Sequence, residues 1–260
     1  MRKFKQQFLA GPYLIWIIGF ILLPLIMILY YAFTNGDGSF TLSYITAIAD
    51  ETNRKAMGLS LRLGIICTIV CLVLSYPLAM ILNNMKIKNQ GLVVFIFMLP
   101  MWMNFLLRTY AWMTLLEKNG LINKFFGLFG LGPFNMINTS GAVVLGMVYN
   151  YLPFMILPIY TAMTKIDNSV IEAAQDLGCN VWQILLRVLV PLTGPGIATG
   201  ITQVFVPAVS TFIISRMLGG GSNLMIGDLI EMQFLGNSYN LNVGSAMSLV
   251  LMIIVLLCMS

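Results

Sequence analysis

Long apolar runs separated by short polar segments dominate the hydropathy pattern of this chain. Runs of about 20 residues with at most one charge recur along it, and that is the length at which a helix crosses a bilayer. The breaks between the runs contain glycine, proline and polar residues. The pattern predicts six transmembrane helices, at residues 9–33, 57–82, 92–116, 142–163, 194–214 and 241–259.

The same pattern predicts an all-α, polytopic membrane protein. An unpaired backbone is not tolerated in lipid, and the ten-residue alternating segments of a membrane barrel are absent from the sequence. The first apolar run is longer than a signal-peptide core and lacks a small-residue cleavage site, which predicts an uncleaved anchor. We expect residues 1–56 to form a cytoplasmic tail, the first span and an outer loop. Residues 57–260 then form a membrane core with a cytoplasmic helix at about 165–180.

The distribution of charge predicts a cytoplasmic N-terminus. In this orientation the cytoplasmic segments carry seven basic residues and the outer loops five, which agrees with the positive-inside rule. The inner set is Arg2, Lys3, Lys5, Lys86, Lys88, Lys165 and Arg187. The outer set is Arg54, Lys55, Lys118, Lys124 and Arg216. The polar segment around Glu172 therefore lies on the cytoplasmic side.

Composition excludes several classes of protein. With 59% hydrophobic and 9% charged residues, the chain is not a soluble domain. The net charge of +5 is explained by the orientation of the chain in the membrane and by contact with anionic lipid. Nucleic-acid binding is not indicated, because the sequence has no basic patch interleaved with exposed aromatic residues. Histidine is absent, which removes the common nucleophile pairs and most transition-metal sites. Cys67 and Cys71, four residues apart, are interpreted as small buried hydrophobes.

No nucleotide-binding motif is present. The glycine-rich segment at residues 218–223 lacks the Gly-Lys-Ser/Thr ending of a phosphate-binding loop. If the protein uses ATP, another chain must bind it.

One amphipathic stretch, EAAQDLGCNVWQILLRVLVPL at residues 172–192, interrupts the apolar second half of the chain. Ser169 and Glu172 have the spacing of a capping box, which predicts a helix start. That helix is expected to end at Gly178, because glycine adopts a positive φ at little cost. A second short helix is predicted at residues 181–190, before Pro191.

The first of these helices is expected to bind another protein. It spans only about two turns and is too short to be stable without a packing neighbour. Helices that lie on a membrane surface have a basic polar face, whereas Glu172 and Asp176 make this one acidic. Ala173 and Ala174 leave a shallow surface that a partner can approach closely.

The spacing of this stretch resembles the cytoplasmic signature of ABC-importer permeases. The signature is Glu-Ala-Ala, three residues, Gly, nine residues, then an aliphatic-x-aliphatic-Pro ending. It is filled here by Glu172, Ala173, Ala174, Gly178, Val188, Val190 and Pro191. The resemblance implies a type I ABC importer permease fold. It also implies that the segment is a coupling helix, which sits in a groove of a separate ATP-hydrolysing subunit.

Three further segments, at residues 99–123, 218–234 and 243–249, resemble the first permease subunit of spermidine/putrescine importers. A departure occurs at Ser210 and Thr211, where such permeases often have a glycine and an acidic residue. The resemblance implies a bacterial cytoplasmic membrane location, a second permease subunit, two ATPase subunits and an extracytoplasmic polyamine-binding protein. It implies no cofactor in this chain, with ATP and Mg bound by the ATPase subunits.

A polycationic substrate requires aromatic faces and a few acids along an apolar path. The candidates for this pathway are Trp102, Tyr110, Trp112, Tyr149, Tyr151, Asp228 and Glu231. The aromatic residues also fit the belts that form at membrane interfaces. Arg108 interrupts the third span, and the sequence leaves open whether it pairs with Glu117 or with a partner subunit.

Three alternatives remain at this point. An ABC permease for an amino acid, sulfate, iron or a sugar is distinguished by the ligand of its binding protein. A secondary transporter should carry ionisable groups at mid-membrane or inverted repeats, and the middle of these spans is almost free of acids. An intramembrane enzyme is disfavoured, because the sequence has neither histidine nor clustered intramembrane carboxylates to act as catalytic groups.

Overall fold

A computed structural model describes residues 11–84, 90–221, 223–236 and 239–259. Within these ranges the regular secondary structure is helical, apart from one isolated bridge between Thr34 and Phe40, so the predicted all-α class is confirmed. The helices, in chain order, are α1 Gly11–Phe33, α2 Ser43–Thr46, α3 Glu51–Asn84, α4 Gln90–Trp102, α5 Phe105–Leu116, α6 Leu121–Leu128, α7 Ser140–Met163, α8 Asn168–Asp176, α9 Val181–Leu192, α10 Gly194–Ser210, α11 Ile213–Gly219, α12 Ile226–Leu235 and α13 Leu241–Met259.

Four helices of the described residues are long and apolar enough to cross a membrane: α1, α3, α7 and α13. They correspond to the predicted first, second, fourth and sixth spans. Helices α9 and α10 meet the same criterion together, but they are bent by 72° at the residue between them. Helix α10 covers residues 194–210 of the predicted fifth span, residues 194–214, and the criterion counts a fifth candidate only when the two bent halves are taken as one span.

The third predicted span is divided into α4 and α5. Helix α4 contains Pro100, which cannot donate a backbone hydrogen bond, and it ends two residues later. The side chain of Asn104 then accepts hydrogen bonds from Leu106 N at 2.9 Å and from Leu107 N at 3.3 Å, which starts α5. Neither half has the length of a span, so a third span at residues 92–116 stays a prediction.

The chain divides into two compact units, of which one contains residues up to Lys55 and those from Leu229 onward. In this unit α13 packs against α1, around the buried residues Ala32, Ala246 and Leu249. The amide of Asn242 donates to the carbonyl oxygens of Tyr31, at 3.1 Å, and of Thr34. These bonds satisfy carbonyl groups at the end of α1 that have no helical partner. The sequence-based division at residues 56 and 57 stays a prediction.

The other unit, Ala56–Asp228, is built around α7. Helices α10 and α11 both pack against it, and the fully buried side chains there include Met147, Met155, Val204 and Ile214. Cys67 and Cys71 are also fully buried in this core, as their apolar interpretation predicts.

Two glycines on one face allow α10 to lie against α7. A Cβ atom at Gly196 would lie 2.6 Å from the Cβ of Ala162 and 2.7 Å from the carbonyl oxygen of Pro158. At Gly200 it would lie 2.6 Å from the sulfur of Met155. Small residues four positions apart are the usual means of close helix packing in lipid, because the association there depends on van der Waals contact.

Gly196→Ala is expected to lower the stability of this unit by about 1–3 kcal/mol, the usual cost of overpacking. The added methyl group meets a backbone carbonyl, which cannot rotate aside as a flexible side chain does. The measurement is the thermal unfolding midpoint of the detergent-solubilised protein. Gly58→Ala is the matched control, because a Cβ there meets no atom within 4 Å. Equal midpoints for the two variants would contradict the packing argument.

Candidate functional site

The amphipathic stretch forms a helix-turn-helix whose first helix, α8, is capped by Asp167. The Asp167 carboxylate accepts a hydrogen bond from Ser169 N at 3.1 Å, and the helix begins at Asn168. The predicted capping box of Ser169 and Glu172 is therefore wrong. Asp167 takes the cap position two residues earlier, which places Ser169 inside the first turn.

Helix α8 ends as the sequence predicts, at Gly178, which has φ of +77°. Its last carbonyl groups are satisfied by Leu177 N, Gly178 N and Cys179 N, at 2.8 to 3.1 Å. A capping box follows at Asn180 and Gln183, whose side chains and backbone amides bond reciprocally at 2.8 and 2.9 Å. The turn between α8 and α9 is thus held by hydrogen bonds on both sides.

The inner face of α8 packs against α9. Ala174, Ile184 and Leu189 are buried together, with Ile171 and Met80 against them. Ala174 was predicted to face a partner, but it lies on this internal face, where its small side chain lets the two helices approach. This packing is the neighbour that so short a helix requires.

The outer face combines carboxylates with large apolar side chains. Glu172, Ala173, Asp176 and Gly178 are exposed, as expected for a surface that meets another protein. Three apolar side chains that the sequence analysis did not select lie beside them: Leu177 is 85% exposed, Val181 73% and Trp182 69%. We call residues 168–182 the coupling knob. Trp182 is of the residue type that most often dominates the energy of a protein interface, and Leu177 and Val181 extend the apolar surface beside it.

The signal for these residues was present in the sequence. Leu177 is the residue just before the helix-ending glycine, and Trp182 follows the cap at Asn180. A large apolar residue on each side of a tight loop tip is a pattern that indicates an exposed apolar surface.

The second helix passes through Pro191, contrary to the prediction that it ends before this residue. Helix α9 continues to Leu192 and contains a π-helical turn at Leu185–Leu189. The bend follows at Thr193, which is fully buried. Its hydroxyl group donates to the Leu189 carbonyl at 2.7 Å and lies 3.0 Å from the hydroxyl of Tyr76 on α3. The bend between α9 and α10 is therefore anchored to the second span.

The predicted pathway aromatics are only partly brought together. The rings of Trp112 and Tyr149 meet edge to face, with centroids 5.4 Å apart. Tyr151 is buried, and its hydroxyl donates to the Pro207 carbonyl at 3.3 Å. Trp102 and Tyr110 are largely exposed.

The two predicted acids have different surroundings. Asp228 is fully buried, and its Oδ2 accepts from the Ser215 hydroxyl at 2.5 Å and from Met225 N at 2.9 Å. Arg216 Nε lies 4.0 Å from its other oxygen. Glu231 is half-buried on the same helix. The carboxylate of Asp228 is thus engaged within its own chain.

Arg108 is buried on α5, and within the described residues it forms no ion pair with Glu117. Its Nε and Nη1 atoms have no hydrogen-bond partner among those residues. Of the two pairings that the sequence left open, the one with Glu117 does not form here.

The comparison with known families identifies the class of this helical membrane protein. A family model described as "Binding-protein-dependent transport system inner membrane component" matches residues 7–260. The chain belongs to this family. A permease of this family is a membrane subunit and not an enzyme, as the sequence predicts.

Relatives of the permease include spermidine/putrescine transport system permease proteins named PotB. That of Haemophilus influenzae is 38% identical over 250 residues, which cover 93% of this chain and 87% of the relative. That of Escherichia coli is 37% identical over 247 residues, 92% of this chain and 90% of the relative. The Escherichia coli inner membrane ABC transporter permease protein YdcU is 30% identical over 84% of this chain and 73% of its own.

Solved structures support the fold. A subunit of a bacterial ABC transporter that imports the acidic polysaccharide alginate superposes with a TM-score of 0.82 at 19% identity. The match covers 98% of the permease and 94% of that chain. A methionine ABC transporter, MetNI, gives a TM-score of 0.56 at 18% identity, over 78% of the permease and 88% of that chain. The predicted type I ABC importer permease fold is confirmed.

Proposed function

We propose that this permease is one of two membrane subunits of an ATP-driven polyamine importer in a bacterial cytoplasmic membrane. The observation that carries the proposal is the similarity to spermidine/putrescine permeases at 37–38% identity over more than nine-tenths of the chain. The coupling knob supports it, because the exposed carboxylates and apolar groups there suit a partner that supplies the ATPase activity.

In this proposal two ATPase subunits bind ATP and Mg and hold one coupling knob each, one from this permease and one from a second permease. Their closure on ATP moves the knobs, and α9 passes the movement to α10 through the bend at Thr193. The spans then alternate between outward and inward access. An extracytoplasmic binding protein delivers spermidine or putrescine to the outer side, and the N-terminus lies in the cytoplasm.

The edge-to-face pair of Trp112 and Tyr149 is the best candidate for an aromatic face along the pathway. A cation over such a ring gains about 0.5–2 kcal/mol, depending on its desolvation. Glu231 is half-buried and is retained as a candidate acid. The burial of Asp228 and its bonds to Ser215 and Met225 favour a structural role for that residue.

The test is reconstitution of the complete importer in proteoliposomes, with ATP inside and binding protein outside. We expect ATP-dependent uptake of radiolabelled spermidine or putrescine, with competition by unlabelled polyamines and none by amino acids, sulfate or sugars. Uptake of one of those other solutes instead would assign the permease to a different importer. Uptake without ATP would contradict the ABC mechanism itself.

A further inference from the structure

Helix α6, in the segment between α5 and α7, turns an apolar face away from the protein. The side chains of Leu121, Phe125 and Leu128 are each more than half exposed. They lie at positions i, i+4 and i+7, which fall on one side of a helix. Phe129, which follows the helix, is also more than half exposed and extends this surface. An apolar face of this kind marks a site of contact with lipid or with another protein.

The opposite side of α6 is fixed to the chain by the buried residue Asn123, which lies two positions after Leu121 and thus about 200° around the helix. Its amide nitrogen donates to the carbonyl oxygens of Glu117, at 3.1 Å, and of Phe134, at 2.9 Å. Its amide oxygen accepts from Phe134 N at 2.9 Å. Turning the helix over would leave these buried groups without partners, so the apolar face is held outward.

The same contacts place α6 near the end of a membrane span. A Cβ atom at Gly120, in the turn before α6, would lie 2.6 Å from the carbonyl oxygen of Thr114, so the turn lies tightly against α5. Phe134, which Asn123 binds, comes shortly before α7, and α7 begins at Ser140 and is long enough to cross a membrane. The start of such a span lies near a membrane surface, and α6 is therefore held close to that surface.

The charges of this segment are basic. Residues 118–139 contain Lys118 and Lys124 and no acidic residue. Lys124 is exposed and lies about 60° around the helix from Leu121, at the border of the apolar face. A lysine in this position can bury its methylene groups in lipid while its ammonium group stays in water. Leucine and phenylalanine on one face with lysine beside them are typical of a helix in a membrane interface.

A protein partner fits this face less well. Protein interfaces carry about one hydrogen bond per 100–200 Å², and their energy is dominated by tryptophan, tyrosine and arginine. The coupling knob has such groups in Glu172 and Trp182, whereas the exposed face of α6 offers hydrocarbon with one lysine at its border. The two amphipathic helices of this chain therefore suit different partners.

We propose that α6 lies in the membrane–water interface, with Leu121, Phe125 and Leu128 among the acyl chains and Lys124 at the level of the lipid phosphate groups. Because Asn123 joins α6 to the residues after α5 and before α7, the inserted helix holds these two ends at a fixed depth in the bilayer. This role is independent of the solute that the importer carries.

The experiment measures the depth of a nitroxide label in the importer complex, reconstituted without binding protein in liposomes of phosphatidylethanolamine and phosphatidylglycerol. The label is attached at Phe125→Cys, in a chain whose native cysteines are replaced by alanine: Cys67, Cys71, Cys179 and Cys258. Oxygen is concentrated in the acyl chains and a nickel chelate in water. We expect oxygen to collide with this label several-fold more often than the chelate does.

Gly127→Cys is the matched control on the same helix. Gly127 is exposed, lies two positions after Phe125 and thus about 200° around the helix, and a Cβ there meets no atom within 4 Å. Its label should collide more often with the chelate than with oxygen. Leu121→Cys gives a second label on the apolar face, away from the ring contacts of Phe125 with Phe126 and Phe129.

Two results would overturn the proposal. Free access of the chelate to the labels at positions 121 and 125 would show a face that meets water and is open to a soluble partner such as the binding protein. Exclusion of both oxygen and the chelate from these positions would show a face covered by protein, such as the second permease. Co-purification of the other subunits checks that each labelled variant assembles.

Discussion

Leu177→Asp is expected to weaken the hold of this permease on its ATPase subunit and to lower ATP-driven uptake by more than about tenfold, which corresponds to a loss of more than about 1.4 kcal/mol at the interface. Leu177 is 85% exposed at the end of α8, so the substitution removes little packing within the chain. In a complex its side chain would lie in an apolar groove, where an unpaired carboxylate is costly. The measurements are co-purification of the ATPase subunits and uptake in proteoliposomes.

The matched control is Leu128→Asp. Leu128 is 82% exposed and also lies at the end of a short amphipathic helix, α6, but on the predicted outer side. The amount of ATPase that co-purifies with the Leu128→Asp permease should equal the amount that co-purifies with the unmodified permease. Retention of the ATPase subunits by Leu177→Asp would remove the coupling role from this end of the knob.

Asp228→Ala is expected to destabilise the protein by about 2–3 kcal/mol. The substitution leaves the buried Met225 N–H without its acceptor, at a cost of about 1–3 kcal/mol. It also removes the carboxylate beside Arg216, whereas the Ser215 hydroxyl keeps the Phe212 carbonyl at 2.9 Å. The measurement is the unfolding midpoint in detergent, together with the yield of folded protein.

Two variants separate a structural role of Asp228 from contact with substrate. Asp228→Asn keeps an oxygen acceptor, so it should lose less stability than Asp228→Ala. In a double-mutant cycle with Ser215→Ala the two losses should not add, because the side chains share a hydrogen bond. An Asp228→Ala protein of unchanged stability with reduced polyamine uptake would instead assign the residue to the substrate pathway.

The sequence predicted those features that depend on local chemistry. The apolar runs of α1, α3, α7 and α13 are long enough to require a membrane, whatever their neighbours. Gly178 was predicted as a helix end because a positive φ is a property of the residue itself. The resemblance to the family signature rested on the residue types, their spacing and their predicted cytoplasmic location, and the match over residues 7–260 agrees with it.

Features that depend on competition between two neighbouring capping residues, or on tertiary packing, were not predicted. Asp167 and Ser169 are both good caps, and sequence alone does not decide between two candidates two residues apart. The break at Asn104 needed the observation that its side chain accepts from two backbone amides. The hydrogen bond between Ser215 and Asp228 joins side chains 13 positions apart, which the fold brings together.

The bend at Thr193 has a mechanical consequence. Helix α9 has 12 residues, which at 1.5 Å per residue make a rod about 18 Å long. A rotation of about 10° around the bend would displace the far end of such a rod by about 3 Å. Because Thr193 is bonded to Tyr76, the pivot remains fixed to α3 while the rod turns. A displacement of about 3 Å at the knob end of α9 thereby corresponds to a rotation of about 10° at its junction with α10.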